Sequence, residues 1–451
     1  MEKFKLLINQ LFNENKKNIH YQSLKSLILI LIISSPVFAI PSTTRSLIRN
    51  SPKEVLDEVW QIVYRDYLDA SGDYDSDDWI DLRKKLLSKK YIHYDNVYVA
   101  IREMLSNLKD PYTRFLDPKE FNEMKIDTSG ELTGVGIQIS LDSDTNKIVV
   151  VSPIEGTPAF KAGIIPKDVI VSIDGKSTDG MSIDRAVKLI RGQQGTPVIL
   201  GVMRRGKLLK ISLVRTLIEI HSVTNRLNLA GNKFKVGYIR LKQFNANAAR
   251  EMSDSIKELE DKNAMGYILD LRGNPGGLLE ASVEIARQWI DQGIIVSTKT
   301  RDGITDVRMA NRTALTQKPL VVLVNEGSAS ASEILSGAIR DNERGILVGN
   351  KTFGKGLVQS VRALSDGSGL TVTIAKYLTP KGTDINKNGI HPDIKIDIDK
   401  KLIKKLTILD LGTIKDNQYI VAETALVRKI AKQSQQSTYV PSGVNLEYAL
   451  K

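Results

Sequence analysis

The chain of 451 residues contains no cysteine, which excludes disulfides, thiolate metal sites and a thiol nucleophile. Histidine is scarce as well: His20, His93, His221 and His391 are all there are. A hydrolase built on this sequence is therefore expected to use a base other than histidine. No pair of histidines or group of carboxylates has metal-ligand spacing, so no metal or cofactor is called for. The net charge of +12 is spread along the chain rather than gathered into a basic run. No nucleic-acid partner is expected from that pattern, which suits solubility or attraction to an anionic membrane surface. Oligomeric state is not legible.

Long apolar runs are also rare, and the one near the start is informative. Lys3, Lys5, Lys16, Lys17 and Lys25 precede Leu27–Ile33, and Ser34-Ser-Pro-Val-Phe-Ala39 follows. A basic flank, a short apolar core and small residues before the break read as a secretory signal cleaved after Ala39. The run is short for a membrane span, and a retained signal anchor is the alternative. The remaining chain is expected to be exported and soluble beyond a membrane, in a periplasm or thylakoid lumen.

The expected architecture is α/β and multidomain: a helical domain over 50–127, a glycine-punctuated β-rich module over 128–215, a mixed α/β core over 216–396, and a lysine-rich extension over 397–451 that packs on the core or trails as a tail. Ser51-Pro-Lys-Glu54 reads as a capped helix start, and Val55, Val59, Ile62 and Val63 recur at helical spacing. Asp110-Pro-Tyr-Thr-Arg-Phe-Leu116 closes this segment, whose aromatics are expected in a core. In the β-rich module Gly134-Val-Gly-Ile137 opens a strand, Pro158–Gly163 makes one helical turn, and Asp168–Gly175 is a strand and turn. This order resembles a PDZ domain. The resemblance implies that Gly134, Val135, Gly136 and Ile137 offer main-chain amides to a peptide's terminal carboxylate while the peptide adds as a strand.

In the α/β core, Pro319–Val324 reads as a buried strand and Gly266–Leu271 as another, running into Arg272-Gly-Asn-Pro-Gly-Gly277. Ser328, Ser330 and Ser332 follow the first strand at the mouth of a helix. Ser330-Ala-Ser-Glu333 has the form of a capping box, so these serines could do no more than begin the helix. A serine at that junction is also exposed at the strand's carboxyl edge, with the Ala331 amide beside any oxyanion formed there. Lys355, between glycines in Phe353-Gly-Lys-Gly356, could serve as base if burial or a nearby cation lowered its pKa. Lys355 and Gln359 are expected on one face of a strand, where Gln359 could hold the amine by accepting a hydrogen bond.

These motifs, with the 25-residue spacing of Ser330 and Lys355, resemble the carboxyl-terminal processing peptidases of serine family S41. The resemblance covers nearly all of the chain beyond the signal and implies a core of the ClpP/crotonase-like type. By it Ser330 is the nucleophile, Lys355 the general base and Gln359 its orienting residue. The amides of Ala331 and Gly276 form the oxyanion hole, and Glu333 supports the site. C-terminal tails of proteins are the implied substrates. Arg191 matches an arginine that couples the PDZ domain to the catalytic groups, although a helix-end arginine answering the helix dipole fits equally. The Tyr112–Leu116 segment most resembles the thylakoid-lumen branch, which matures the photosystem II D1 precursor. General periplasmic tail proteolysis, a catalytically silent PDZ adaptor and an acyl-transfer enzyme of the crotonase type are the alternatives.

Overall fold

The computed structural model describes residues 51–437 except 70, 71, 73, 143, 144, 232 and 398–409. The expected signal segment lies outside the described residues. Helices Lys53–Asp66, Ser76–Ser88 and Tyr94–Ser106 pack around Val59, Trp60, Val63, Trp79, Val97 and Ile101. Pro52 rather than Ser51 takes the first N-cap position, and the Asp75 carboxylate caps the second helix by accepting from the amides of Asp77 and Asp78. The segment is not purely helical. Arg114–Leu116 is a strand, β1, after which helix Pro118–Ser129 starts under a reciprocal Asp117/Glu120 capping box.

β2 (Glu131–Gly134) enters the PDZ-like module. Its sheet holds β3 (Ile137–Leu141), β4 (Ile148–Pro153), β5 (Val169–Ile173), β6 (Lys176–Ser177), β7 (Pro197–Arg204) and β8 (Lys207–Val214), in the order β3-β4-β5-β7-β8 with β6 on β5. β9 (Thr216–Glu219) leaves the module and pairs antiparallel with β2, so entry and exit are joined. The strand expected from Gly134 onward is interrupted: β2 ends there, Val135 and Gly136 form a loop, and β3 begins at Ile137. β3 is an edge strand, with helix Ile183–Ile190 beside the loop.

The remaining strands are β10 (Val223–Ala230), β11 (Phe234–Leu241), β12 (Gly266–Asp270), β13 (Ile294–Thr300), β14 (Gly303–Met309), β15 (Leu320–Val324), β16 (Ile346–Gly349), β17 (Leu357–Ala363), β18 (Gly369–Leu378) and β19 (Ile394–Lys395). The larger sheet runs β10-β11-β12-β15-β16-β19 and is parallel from β11 onward. Helices cover both of its faces, which is why β15 is an unbroken apolar run. Leu320, Val322 and Val324 face the cluster of helices Ala248–Asp261, Leu279–Trp289 and Ala331–Asp341. Val321 and Leu323 face Tyr419, Leu426 and Ile430 of helix Asn417–Ser437. Helix Asn417–Ser437 of the extension thus covers the second face of this sheet, at about 1.5–3 kcal/mol for each large side chain buried.

The other sheet is antiparallel, in the order β1-β18-β13-β14 with β17 also on β18. β1 joins it with Arg114 opposite Thr371. Leu364, Leu370 and Val372 of this region share a cluster with the N-terminal helices, so the Asp110–Leu116 segment is built into the core's own sheet.

Candidate active site

β12 and β15 are parallel neighbours, so both release their loops at the same edge. The two loops are tied together. Ser328 Oγ donates to Leu271 O at 2.8 Å, Ser332 Oγ to Asn274 O at 2.9 Å, and the Gly273 amide to Asn325 Oδ1 at 2.9 Å. Two of the three candidate serines are therefore fully buried and hold carbonyls of the 271–274 loop. Ser330 differs. Its backbone has φ 54° and ψ −113°, a region that costs a non-glycine residue about 1–3 kcal/mol and recurs at functional turns. It retains 9% exposure at the start of helix Ala331–Asp341.

Glu333 explains how that turn is held. Its carboxylate is fully buried and accepts four hydrogen bonds. Oε2 takes the amides of Ser330 at 2.9 Å and Lys355 at 2.8 Å, while Oε1 takes the Gly354 amide at 2.7 Å and Thr352 Oγ1 at 2.5 Å. The capping-box carboxylate thus reaches past its own helix to bind the lysine loop. Gly356 lets that loop pass close to its neighbour, since a Cβ there would lie 2.2 Å from the Asn386 amide nitrogen.

Lys355 is half-buried, and that burial lowers its pKa from the ordinary value. Arg114 lowers it further, against the opposing pull of Asp110 and Glu333. Its Nζ lies 4.9 Å from the centre of the Tyr112 ring. Lys355 and Gln359 do not share a strand face as the sequence leads one to expect. β17 begins at Leu357, leaving Lys355 in the preceding loop, and the β17–β18 register shifts between Val358 and Gln359. Gln359 stands opposite Thr373, and its Nε2 donates to Thr373 Oγ1 at 3.4 Å.

Gly276 lies against the Ser330 turn: a Cβ there would come within 2.9 Å of Ser330 Cβ and 3.0 Å of the Ala331 nitrogen. Its positive φ of 103° also favours glycine. The Gly276 amide donates to Asn274 Oδ1 at 2.9 Å. Ala331 is the first helical residue and has no carbonyl four residues back within its helix to donate to.

In the PDZ-like module Gly134, Val135, Gly136 and Ile137 line a mostly apolar pocket, with Leu132, Ile154, Val187 and Ile190 beneath them and Arg191 contributing to the wall. Arg191 is the C-cap residue of helix Ile183–Ile190, and the last carbonyls of that helix, Leu189 at 2.8 Å and Ile190 at 2.9 Å, accept from the Arg215 guanidinium.

Two groups of site residues escaped the sequence reading. Asp110, Tyr112 and Arg114 lie around the lysine; of the aromatics expected in a core, Phe115 is there and Tyr112 is not. The dense polar motif Asp110–Leu116 was the available signal. The second group secures the glycine-rich loop from below. Arg272 is buried between the carboxylates of Asp270 and Asp416, each bound at 2.6 Å through Nη2, and Tyr238 Oη donates to Asp270 at 2.7 Å. No sequence pattern links residues 144 apart.

Residues 235–396 match peptidase family S41, and residues 149–204 match the PDZ domain. The carboxyl-terminal-processing protease of Synechocystis sp. is 44% identical over 354 residues, covering 78% of this chain and 82% of that protein. The chloroplastic carboxyl-terminal-processing peptidase 2 of Arabidopsis thaliana is 39% identical over 347 residues, covering 74% of this chain and 67% of that protein. A solved structure, the photosystem II D1 C-terminal processing protease, is 39% identical with a TM-score of 0.51, covering 77% of this chain and 94% of that one. By these matches the chain is a serine-type peptidase with a PDZ domain and belongs to the carboxyl-terminal-processing peptidases of family S41.

Proposed function

We propose that this peptidase is exported and cuts substrates near their C-termini with Ser330 as nucleophile and Lys355 as general base. One observation carries the reading: the amides of Ser330 and Lys355 converge on a single oxygen, Glu333 Oε2. Residues 25 apart in the chain are thereby held as neighbours, one strained at a helix mouth and the other an amine depressed by burial.

Ser330 Oγ attacks the scissile carbonyl as its proton passes to the neutral Lys355 amine, which Gln359 holds through its amide oxygen. The oxyanion is met by the Ala331 amide and by the Gly276 amide, which exchanges Asn274 Oδ1 for the new charge. The Lys355 ammonium protonates the departing amine and the C-terminal fragment leaves. Water, deprotonated by the same lysine, then releases the acyl group. The PDZ module captures the substrate tail along edge strand β3, with the terminal carboxylate at residues 134–137 and Arg191 relaying occupancy to the site. The cyanobacterial and chloroplast relatives support the D1 precursor as substrate and a thylakoid lumen or periplasm as location.

The test incubates purified enzyme with a peptide of the D1 precursor C-terminus and, separately, with an unrelated unstructured tail. Cleavage of the D1 peptide is expected, falling about a thousandfold or more in Ser330→Ala and in Lys355→Ala. Cleavage of the unrelated tail alone would discard the D1 role and leave a general tail protease. Undiminished cleavage by either variant would discard the dyad.

A further inference from the structure

The residue that orients the lysine is itself oriented from the N-terminal segment. Asp110 Oδ2 accepts hydrogen bonds from Thr113 Oγ1 and Thr373 Oγ1, both at 2.7 Å. Each hydroxyl donates to that oxygen and so directs its single proton at Asp110. Thr373 Oγ1 is then left with lone pairs alone toward its remaining neighbour, Gln359 Nε2 at 3.4 Å. The Gln359 amide accordingly turns its NH2 toward Thr373, leaving Oε1 as the acceptor on its other branch. Thr373 cannot swing away. Its amide donates to Thr113 Oγ1 at 3.0 Å, and its carbonyl accepts from the Leu68 amide at 2.7 Å.

The sheet irregularity has a purpose in this frame. Val358 pairs with Ala375, so unbroken register would set Gln359 opposite Ile374. The shift sets it opposite Thr373 instead, on the same face as the hydroxyl. Asp110 also lies among the charged groups facing Lys355, together with Arg114 and Glu333, beside the Tyr112 ring.

We propose that Asp110 and Thr373 are positioning residues that fix the Gln359 amide with its oxygen toward the Lys355 amine. The N-terminal segment thereby sets the geometry of the base. The proposal rests on the reading of Lys355 as base and Gln359 as its holder.

Thr373→Val keeps the side chain's shape and removes both the donor to Asp110 and the acceptor for Gln359. Its kcat should fall about tenfold to a hundredfold with KM nearly unchanged, and the rising limb of its pH–rate profile should move. Thr373→Ser should restore both to within about threefold of wild type, because its hydroxyl is retained. Asp110→Asn, which can present an NH2 to Thr373 and reverse the hydroxyl, should show the same kcat loss and pH shift. A thermal melt accompanies each variant, and if Thr373→Val does not fold, the contrast of Asp110→Asn with Thr373→Ser decides. Wild-type kcat and pH profile in the folded Thr373→Val and Asp110→Asn enzymes would overturn the relay. Lys355→Ala and Gln359→Ala are assayed beside them. If both lose cleavage while Thr373→Val keeps it, the relay alone fails. If Lys355→Ala keeps cleavage, the base assignment itself fails.

Discussion

Replacing Glu333 by glutamine should separate the Ser330 turn from the lysine loop while barely altering side-chain volume. The carboxylate accepts four hydrogen bonds in a fully buried site, two on each oxygen. An amide can accept on one branch only. The least costly arrangement keeps oxygen toward the amides of Ser330 and Lys355 and points NH2 at Thr352 and Gly354. The Thr352 hydroxyl can turn to accept, but the Gly354 N–H is left facing another N–H. One buried donor without a partner costs about 1–3 kcal/mol, and charge-assisted bonds that become neutral lose about 1 kcal/mol each. The sum is about 3–6 kcal/mol against the closed arrangement of these loops. Chemical denaturation should register part of it. Amide exchange at Gly354 and Lys355 should register the rest as local opening. Displacing Lys355, the proposed base, by even 1 Å should lower kcat about a hundredfold. If stability stays within about 1 kcal/mol and kcat within about threefold, the carboxylate does not hold the two residues together.

Other substitutions test separate parts of the site. Ser328→Ala and Ser332→Ala should each lose about 1–2 kcal/mol of stability but keep most peptidase activity, since both hydroxyls serve backbone carbonyls; comparing melts with kcat for Ser330→Ala would expose a wrong choice of nucleophile. Burial and Arg114 hold Lys355 below its ordinary pKa, so its neutral fraction grows as pH rises; kcat/KM should climb with pH through that lowered value and then level off. A profile that falls over the same range would contradict a neutral amine. Val187→Glu places a charge in the apolar PDZ pocket and should raise KM for long tails about tenfold while sparing cleavage of short peptides, as read from paired kinetics. Asp416→Ala leaves buried Arg272 with one carboxylate fewer and should cost about 3–5 kcal/mol by denaturation.

What the sequence made legible follows from how each element is buried. β12 and β15 were readable because a parallel strand covered on both faces needs apolar residues at every position. Ser330 stood out with two neighbours, and only the partners of Ser328 and Ser332 separate the three. Lys355 was recognisable from its flanking glycines, yet the cation expected to depress it was not; Arg114 arrives through β1 pairing with β18, a long-range contact without local pattern. Period-two alternation does not reach from Lys355 to Gln359, because Lys355 precedes β17 and one register shift reverses which residues share a face. Tyr419, Ala422, Leu426 and Ile430 do recur at helical spacing, but a lysine-rich stretch before them masked the helix that covers the sheet's second face.

The Arg272–Asp416 pair has a consequence for synthesis. When residues 1–396 have left the ribosome, Ser330, Lys355 and Gln359 are present, but neither the second carboxylate of Arg272 nor the helix over β12 and β15 is. A buried guanidinium short of a counter-charge disfavours the closed glycine-rich loop. The proposed activity should therefore appear only once Asp416 and helix Asn417–Ser437 have emerged, and a chain cut before Asp416 should cleave poorly.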